Sequence, residues 1–113
     1  MSTSVYTVGQ PFSGLTLEQI ERLDMLAEEC AEVIQIVGKI KRHGYDSYHP
    51  HDLEKTPNRL LLKREILDVV AVVSAMGAKK DFPIFDSEGF YSKEAQEIWD
   101  RKLHWTHHQG KTE

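Results

Sequence analysis

The chain has 113 residues, the length of one domain at about 100–200 residues each, and 40% hydrophobic content supports a real core and excludes a disordered tail. Lys and Arg number 14 against 18 Asp and Glu, a net charge of −4, so the positive footprint of a nucleic-acid-coating protein is missing. The one cysteine, Cys30, excludes an internal disulfide and a zinc or iron–sulfur site built on the cysteines of one chain, and it suits a reducing cytoplasm.

Residues 1–14 carry Gly9, Pro11 and Gly14 without periodicity and read as part of an irregular arm over 1–15. That stretch has neither the basic start nor the apolar run of a signal peptide, and the longest apolar run, Val69 to Val73, is too short to span a bilayer, so a membrane is not an expected partner. Thr16 followed by Gln19 is a capping box, with Leu15 and Ile20 placed for a hydrophobic staple. The first helix therefore starts at Thr16 and runs to the basic cluster Lys39, Lys41, Arg42, His43, with Gly44 at the C′ position. Residues 44–57 form a polar, aromatic, Pro-containing connection of a length that often closes over a ligand.

A second helix begins near Thr56, Pro57 or Asn58 and ends at Gly77, because about 20 residues without a breaker exceed a usual strand although Val69 to Val73 also suits one. The aromatic-rich segment 78–91 is expected to pack over the helices. Ser92 caps a third helix whose Ala95, Ile98, Trp99 and Leu103 share one face. The expected organisation is one all-α domain over 16–106 and a polar tail over 107–113. Its fold class is a helical bundle with antiparallel core helices, completed by oligomerisation, because a second helix apolar nearly all round needs burial on every side.

At about 100° per residue, the apolar arc of the first helix holds Ile20, Leu23, Leu26, Ala27, Cys30, Val33, Ile34, Val37 and Ile40, which makes Cys30 a core residue. Glu29 falls inside that arc and Glu32 at its edge, while Glu28 lies further toward solvent. In the second helix Asp68 and Ser74 are the only polar residues from Ile66 to Met76, and Glu65 projects between Val69, Val72 and Met76. An unpaired carboxylate in apolar surroundings costs several kcal/mol unless it protonates or finds a cation. Glu29 and Glu32 are three residues apart, as are Glu65 and Asp68, so each pair shares a helix face. Packed antiparallel, the two helices would bring four oxygen donors together, and hard oxygen ligands without His or Cys select Mg²⁺, with Mn²⁺ as substitute. The competing readings are salt bridges from Glu29 and Glu32 to Arg22, Lys39 or another helix, or a structural ion-pair network of all four. A di-iron bundle is a poor fit for want of Glu-x-x-His pairs.

Glu28-Glu29-Cys30-Ala31-Glu32 with Glu65-Ile66-Leu67-Asp68 resembles the E-E-x-x-E … E-x-x-D signature of the MazG-like all-α nucleotide pyrophosphohydrolases, over about residues 16–77. The resemblance implies a Mg²⁺-dependent enzyme, a homodimer or homotetramer, that hydrolyses a nucleoside triphosphate to the monophosphate and pyrophosphate. It implies Glu29, Glu32, Glu65 and Asp68 as metal ligands and Glu28 as the residue that orients or deprotonates the water. The pattern is also similar to phosphoribosyl-ATP pyrophosphohydrolases, and a non-catalytic helical interaction protein is the rival from another class. Two departures stand out: the segment between the halves is longer than in compact relatives, and Val72 occupies a position where several relatives carry a base-contacting residue. Lys39, two turns beyond Glu32, and Arg64 are candidate phosphate contacts, against a helix-end charge for the first and pairing with Asp68 for the second. Asn58, two turns before Glu65, is a candidate substrate contact, against helix capping. Surface roles suit the six histidines, and packing suits Tyr45, Tyr48 and Trp99, whose rings could otherwise stack on a base.

Overall fold

Two local signals fix where the first helix begins and ends. In a computed structural model of the chain, which describes residues 12–83 and 92–110, helix α1 spans Leu17–His43. Thr16 Oγ1 accepts from the Gln19 amide at 3.1 Å and Gln19 Oε1 accepts from the Thr16 amide at 2.8 Å, so the expected capping box closes. At the other end Gly44 takes φ 92°, a value that suits glycine, while its N–H donates to Ile40 O at 2.7 Å.

Helix α2 spans Asn58–Ala78 and packs on α1. Its first residue does more than begin a helix. Asn58 is 0% exposed, its amide N–H donates to Ser47 O at 2.9 Å, and its Nδ2 donates to Gly44 O at 3.0 Å. The start of α2 is thereby tied to the end of α1. The opposite ends are joined by charge: Arg22 Nε and Nη2 donate to Asp81 Oδ2 and Oδ1 at 2.6 and 2.8 Å, a bidentate pair with both side chains mostly covered. That pairing holds the Asp81 carboxyl below its usual range. Between these two ties the buried apolar side chains are Ile36, Val72 and Met76.

The connection between the helices is a built loop. Asp52 Oδ1 accepts from the Glu54 amide and Oδ2 from the Thr56 amide at 3.0 and 2.8 Å, an arrangement that closes the turn around Lys55, where φ is 54°. Arg59 pairs with Asp46 at 2.7 Å while its guanidinium lies 4.9 Å from the Tyr45 ring centroid. Helix α3, Lys93–Leu103, is capped as expected by Ser92, whose Oγ accepts from the Ala95 amide at 3.0 Å. Residues 1–81 and 82–113 are two compact units, with α1 and α2 in the first and α3 in the second. No strand occurs among the described residues. Most of the expected N-terminal arm, the aromatic positions Ile84 to Tyr91 and the last three residues lie outside the described residues.

One expectation is corrected. Cys30 is exposed, as are Ala27, Ile34 and Val37, because the apolar arc of α1 is wider than the strip that α2 covers. The expected outcome of Asn58→Ala is a loss of about 0.5–1.5 kcal/mol in unfolding free energy, since the part-buried bond from Asn58 Nδ2 to Gly44 O is lost. Urea denaturation of the purified chain measures it.

Candidate metal centre

The two carboxylate pairs meet where α1 and α2 cross the middle of their contact. One oxygen each from Glu29, Glu32, Glu65 and Asp68 lies within 4.8 Å of the others. Helical spacing explains the arrangement locally, since a three-residue step keeps both members of a pair on one side of their helix. The tertiary part comes from the two ties at the helix ends, which set the register in which Glu29 and Glu32 face Glu65 and Asp68.

No Lys, Arg or His among the described residues forms an ion pair with the four carboxylates. Among the described residues the ion pairs are Arg22–Asp81 and Arg59–Asp46, so Arg22, a candidate partner for Glu29, is committed elsewhere. Arg64 is exposed, and its charge acts on Asp52 rather than in a bond to Asp68. The structural ion-pair network weighed against a metal site is therefore not what this cluster forms. Instead Glu29 Oε2 and Glu65 Oε2 are buried atoms without a hydrogen-bond partner. An oxygen without a hydrogen-bond partner is unfavourable to cover, and its presence in two members of one acidic cluster fits a place that could hold a cation.

Electrostatics in the absence of a cation push both groups the same way. Desolvation, then the charges of Glu32 and Asp68, raises the Glu29 carboxyl above its ordinary value. The Glu65 carboxyl is raised first by its hydrogen bond with Glu32, then by burial and by the same two neighbouring charges. Residues that fit a cation would look like this: four hard oxygen donors at bonding proximity, two of them desolvated and unsatisfied. The donor set contains no nitrogen or sulfur and matches Mg²⁺ or Mn²⁺ better than zinc or copper.

Beside the cluster a cleft of about 340 Å³ opens between the helices, lined by Glu32, Gln35, Ile36, Lys39, Leu61 and Glu65. Lys39 thus shares a cavity with two of the carboxylates. Gln35 was not among the candidates, yet its place three residues after Glu32 and four before Lys39 marks it as lying on their side of α1. Glu28 is exposed next to Glu29, whose carboxyl it helps to raise. Asn58 is not brought to the cluster, because its side chain is fully buried against Gly44 and fixes the loop. Tyr45 and Tyr48 are half-exposed on that loop, with cationic neighbours Arg59 and Lys55 over their rings. No family model matches the chain, and neither a curated protein nor a solved structure matches it.

A group whose folded pKa lies above its unfolded one binds more protons in the native state, so its contribution to stability is full below the unfolded pKa and falls as pH rises through the folded value. For Glu29 and Glu65 that decline begins near the ordinary value of 4.5 and continues upward. In EDTA, stability should therefore decrease from mildly acidic to neutral pH. Glu65→Gln should flatten this dependence and raise the melting temperature at pH 7, which thermal scans at a series of pH values check.

Proposed function

We propose that the chain is a Mg²⁺-dependent nucleoside triphosphate pyrophosphohydrolase of the MazG-like kind, acting in the cytoplasm and releasing a nucleoside monophosphate and pyrophosphate. The observation that carries this reading is the convergence of four carboxylates with two buried, partnerless oxygens among them. Such a cluster has no structural benefit of its own, and its chemistry complements a cation shared with a polyanionic substrate. A bound divalent ion would offset phosphate charge and lower the pKa of a coordinated water.

The residues of the chain then divide the remaining work. Glu29, Glu32, Glu65 and Asp68 would hold the ion. Glu28, exposed beside the cluster, orients the attacking water and takes its proton. Lys39, which lines the cleft together with Glu32 and Glu65, meets phosphate oxygens, and the exposed Arg64 is a second candidate for the same task. The water oxygen bonds to the α-phosphorus, the α–β anhydride bond breaks, and pyrophosphate leaves with that electron pair. A covalent intermediate is not part of the proposal, since Cys30 is on the outward side of α1 and direct attack by water accounts for the products.

Assembly belongs to the same reading. The α1–α2 pair is taken as an antiparallel hairpin, two copies of which make a four-helix core in a homodimer or homotetramer. Exposure of Ile34 at 71% and Leu67 at 53% supports it, because a lone hairpin leaves that apolar surface in water.

Two measurements test the function. Millimolar Mn²⁺ or Mg²⁺ should raise the melting temperature over EDTA, with a stabilisation of about 2.7 kcal/mol at a hundredfold excess over Kd. Asp68→Asn should abolish that rise. In ¹⁸O-water with a panel of nucleoside triphosphates, label should enter the monophosphate, and label in the pyrophosphate would mean attack on the β-phosphorus instead. Orthophosphate carrying the label would make the protein a γ-phosphatase, and a silent panel with no metal effect would favour a non-catalytic interaction protein.

A further inference from the structure

Leu23, Ala27, Cys30, Ile34, Val37 and Lys41 follow one another at steps of four, three, four, three and four residues, which keeps them on one side of α1. All six are exposed, with Leu23 at 43%, Ile34 at 71% and Val37 at 42%. At about 100° per residue this stripe lies on the side of the helix away from Glu32, Gln35 and Lys39, so covering it leaves the cleft open. The stripe is also self-complementary. Its spacing reads the same in both directions, and running it antiparallel to itself about its midpoint sets the large Ile34 against Cys30 of a second copy and Val37 against Ala27. Small residues then face large ones, as close helix packing requires. Leu23 meets the aliphatic stem of Lys41, whose ammonium reaches past it to water.

Charge selects the same register. Asp24 and Arg42 flank the stripe on one side, both exposed and without an ion pair among the described residues. In the antiparallel arrangement Asp24 of one copy and Arg42 of the other are offset by about 3 Å along the axis, two residues at 1.5 Å each. The contact is isologous, so that bridge forms twice. Arg42 already leans the right way: a Cβ built on Gly38 would stand 3.4 Å from its Nη1, so the guanidinium is folded back along the helix over Gly38. A parallel pairing would put acidic turns beside acidic turns, since Glu18, Glu21, Asp24 and Glu28 occupy the first half of α1 and Lys39, Lys41, Arg42 and His43 the last turns.

We infer that α1 docks on α1 of a second copy of this chain, antiparallel and with Cys30 opposite Ile34. The inference gives a face and a register to the self-association proposed above, and it is independent of the chemistry at the carboxylates.

The test uses the full chain and reads assembly alone. Ile34→Cys in the chain that keeps Cys30 should give a reducible covalent dimer under copper–phenanthroline, two thiols losing two protons and two electrons to the oxidant as the S–S bond forms. Glu21→Cys, on the other side of the helix, should not. By sedimentation equilibrium Ile34→Glu should weaken association at least tenfold. Asp24→Arg should also weaken it, and adding Arg42→Asp should restore it, a rescue that separates the contact from misfolding. A monomer at micromolar concentration overturns both the self-association and this face. A dimer that tolerates Ile34→Glu, shows no rescue and forms no cross-link overturns this face and leaves self-association standing.

Discussion

Four carboxylates drawn within a few ångströms of one another oppose the packing that brings them there, and the rest of the hairpin is arranged so that they stay. The two ties lie at the far ends: Arg22 with Asp81 at one, Asn58 with Gly44 at the other. Between them, among the described residues, the buried apolar side chains are Ile36, Val72 and Met76, beside the acidic cluster. A protein selected for stability alone would replace Glu65 in the contact with an aliphatic residue, since a carboxyl beside other carboxyls, with one buried oxygen left without a hydrogen bond, is costly to bury. The repulsion among them is a cost that the ties at the helix ends outweigh.

The same economy appears in how cations are distributed. Arg22 stands on α1 near several acids, including Glu18 and Glu21 whose charges it feels, yet its bidentate bond goes to Asp81. Arg59 is likewise spent on Asp46 and the Tyr45 ring. Both guanidinium groups serve the framework, and each is removed from competition for the carboxylate cluster. Lys39, with one mobile ammonium and no such engagement, is left facing the cleft.

Much of this was legible in the chain because the signals were local. Thr16 and Gln19 specify a helix start within four residues, Ser92 does the same for α3, and the three-residue steps within each carboxylate pair fix their faces. What periodicity does not contain is the identity of the neighbour. The helical wheel gave α1 an apolar arc that includes Cys30, and only the position of α2 reveals which part of that arc is covered. Arg22 and Asp81 are 59 residues apart, and nothing in either segment singles out the other. Asn58 reads in the sequence as a residue on the face of Glu65 or as a cap, but its burial depends on where Gly44 and Ser47 return, which is a property of the loop as a whole.

That loop separates what it is made of from what it displays. Asp52, Thr56 and Asn58 fix its path through backbone partners, and His49 Nδ1 accepts from the His51 amide at 3.1 Å, whereas the side chain of Leu53 stands 96% exposed. Evolution can therefore rewrite the outward side chains without disturbing the hairpin, because no hydrogen bond that closes the turn around Lys55 passes through the Leu53 side chain. A chain whose two helices are constrained by a charged cluster has, in this connection, a place where sequence can drift and new contacts be tried at little cost to the fold.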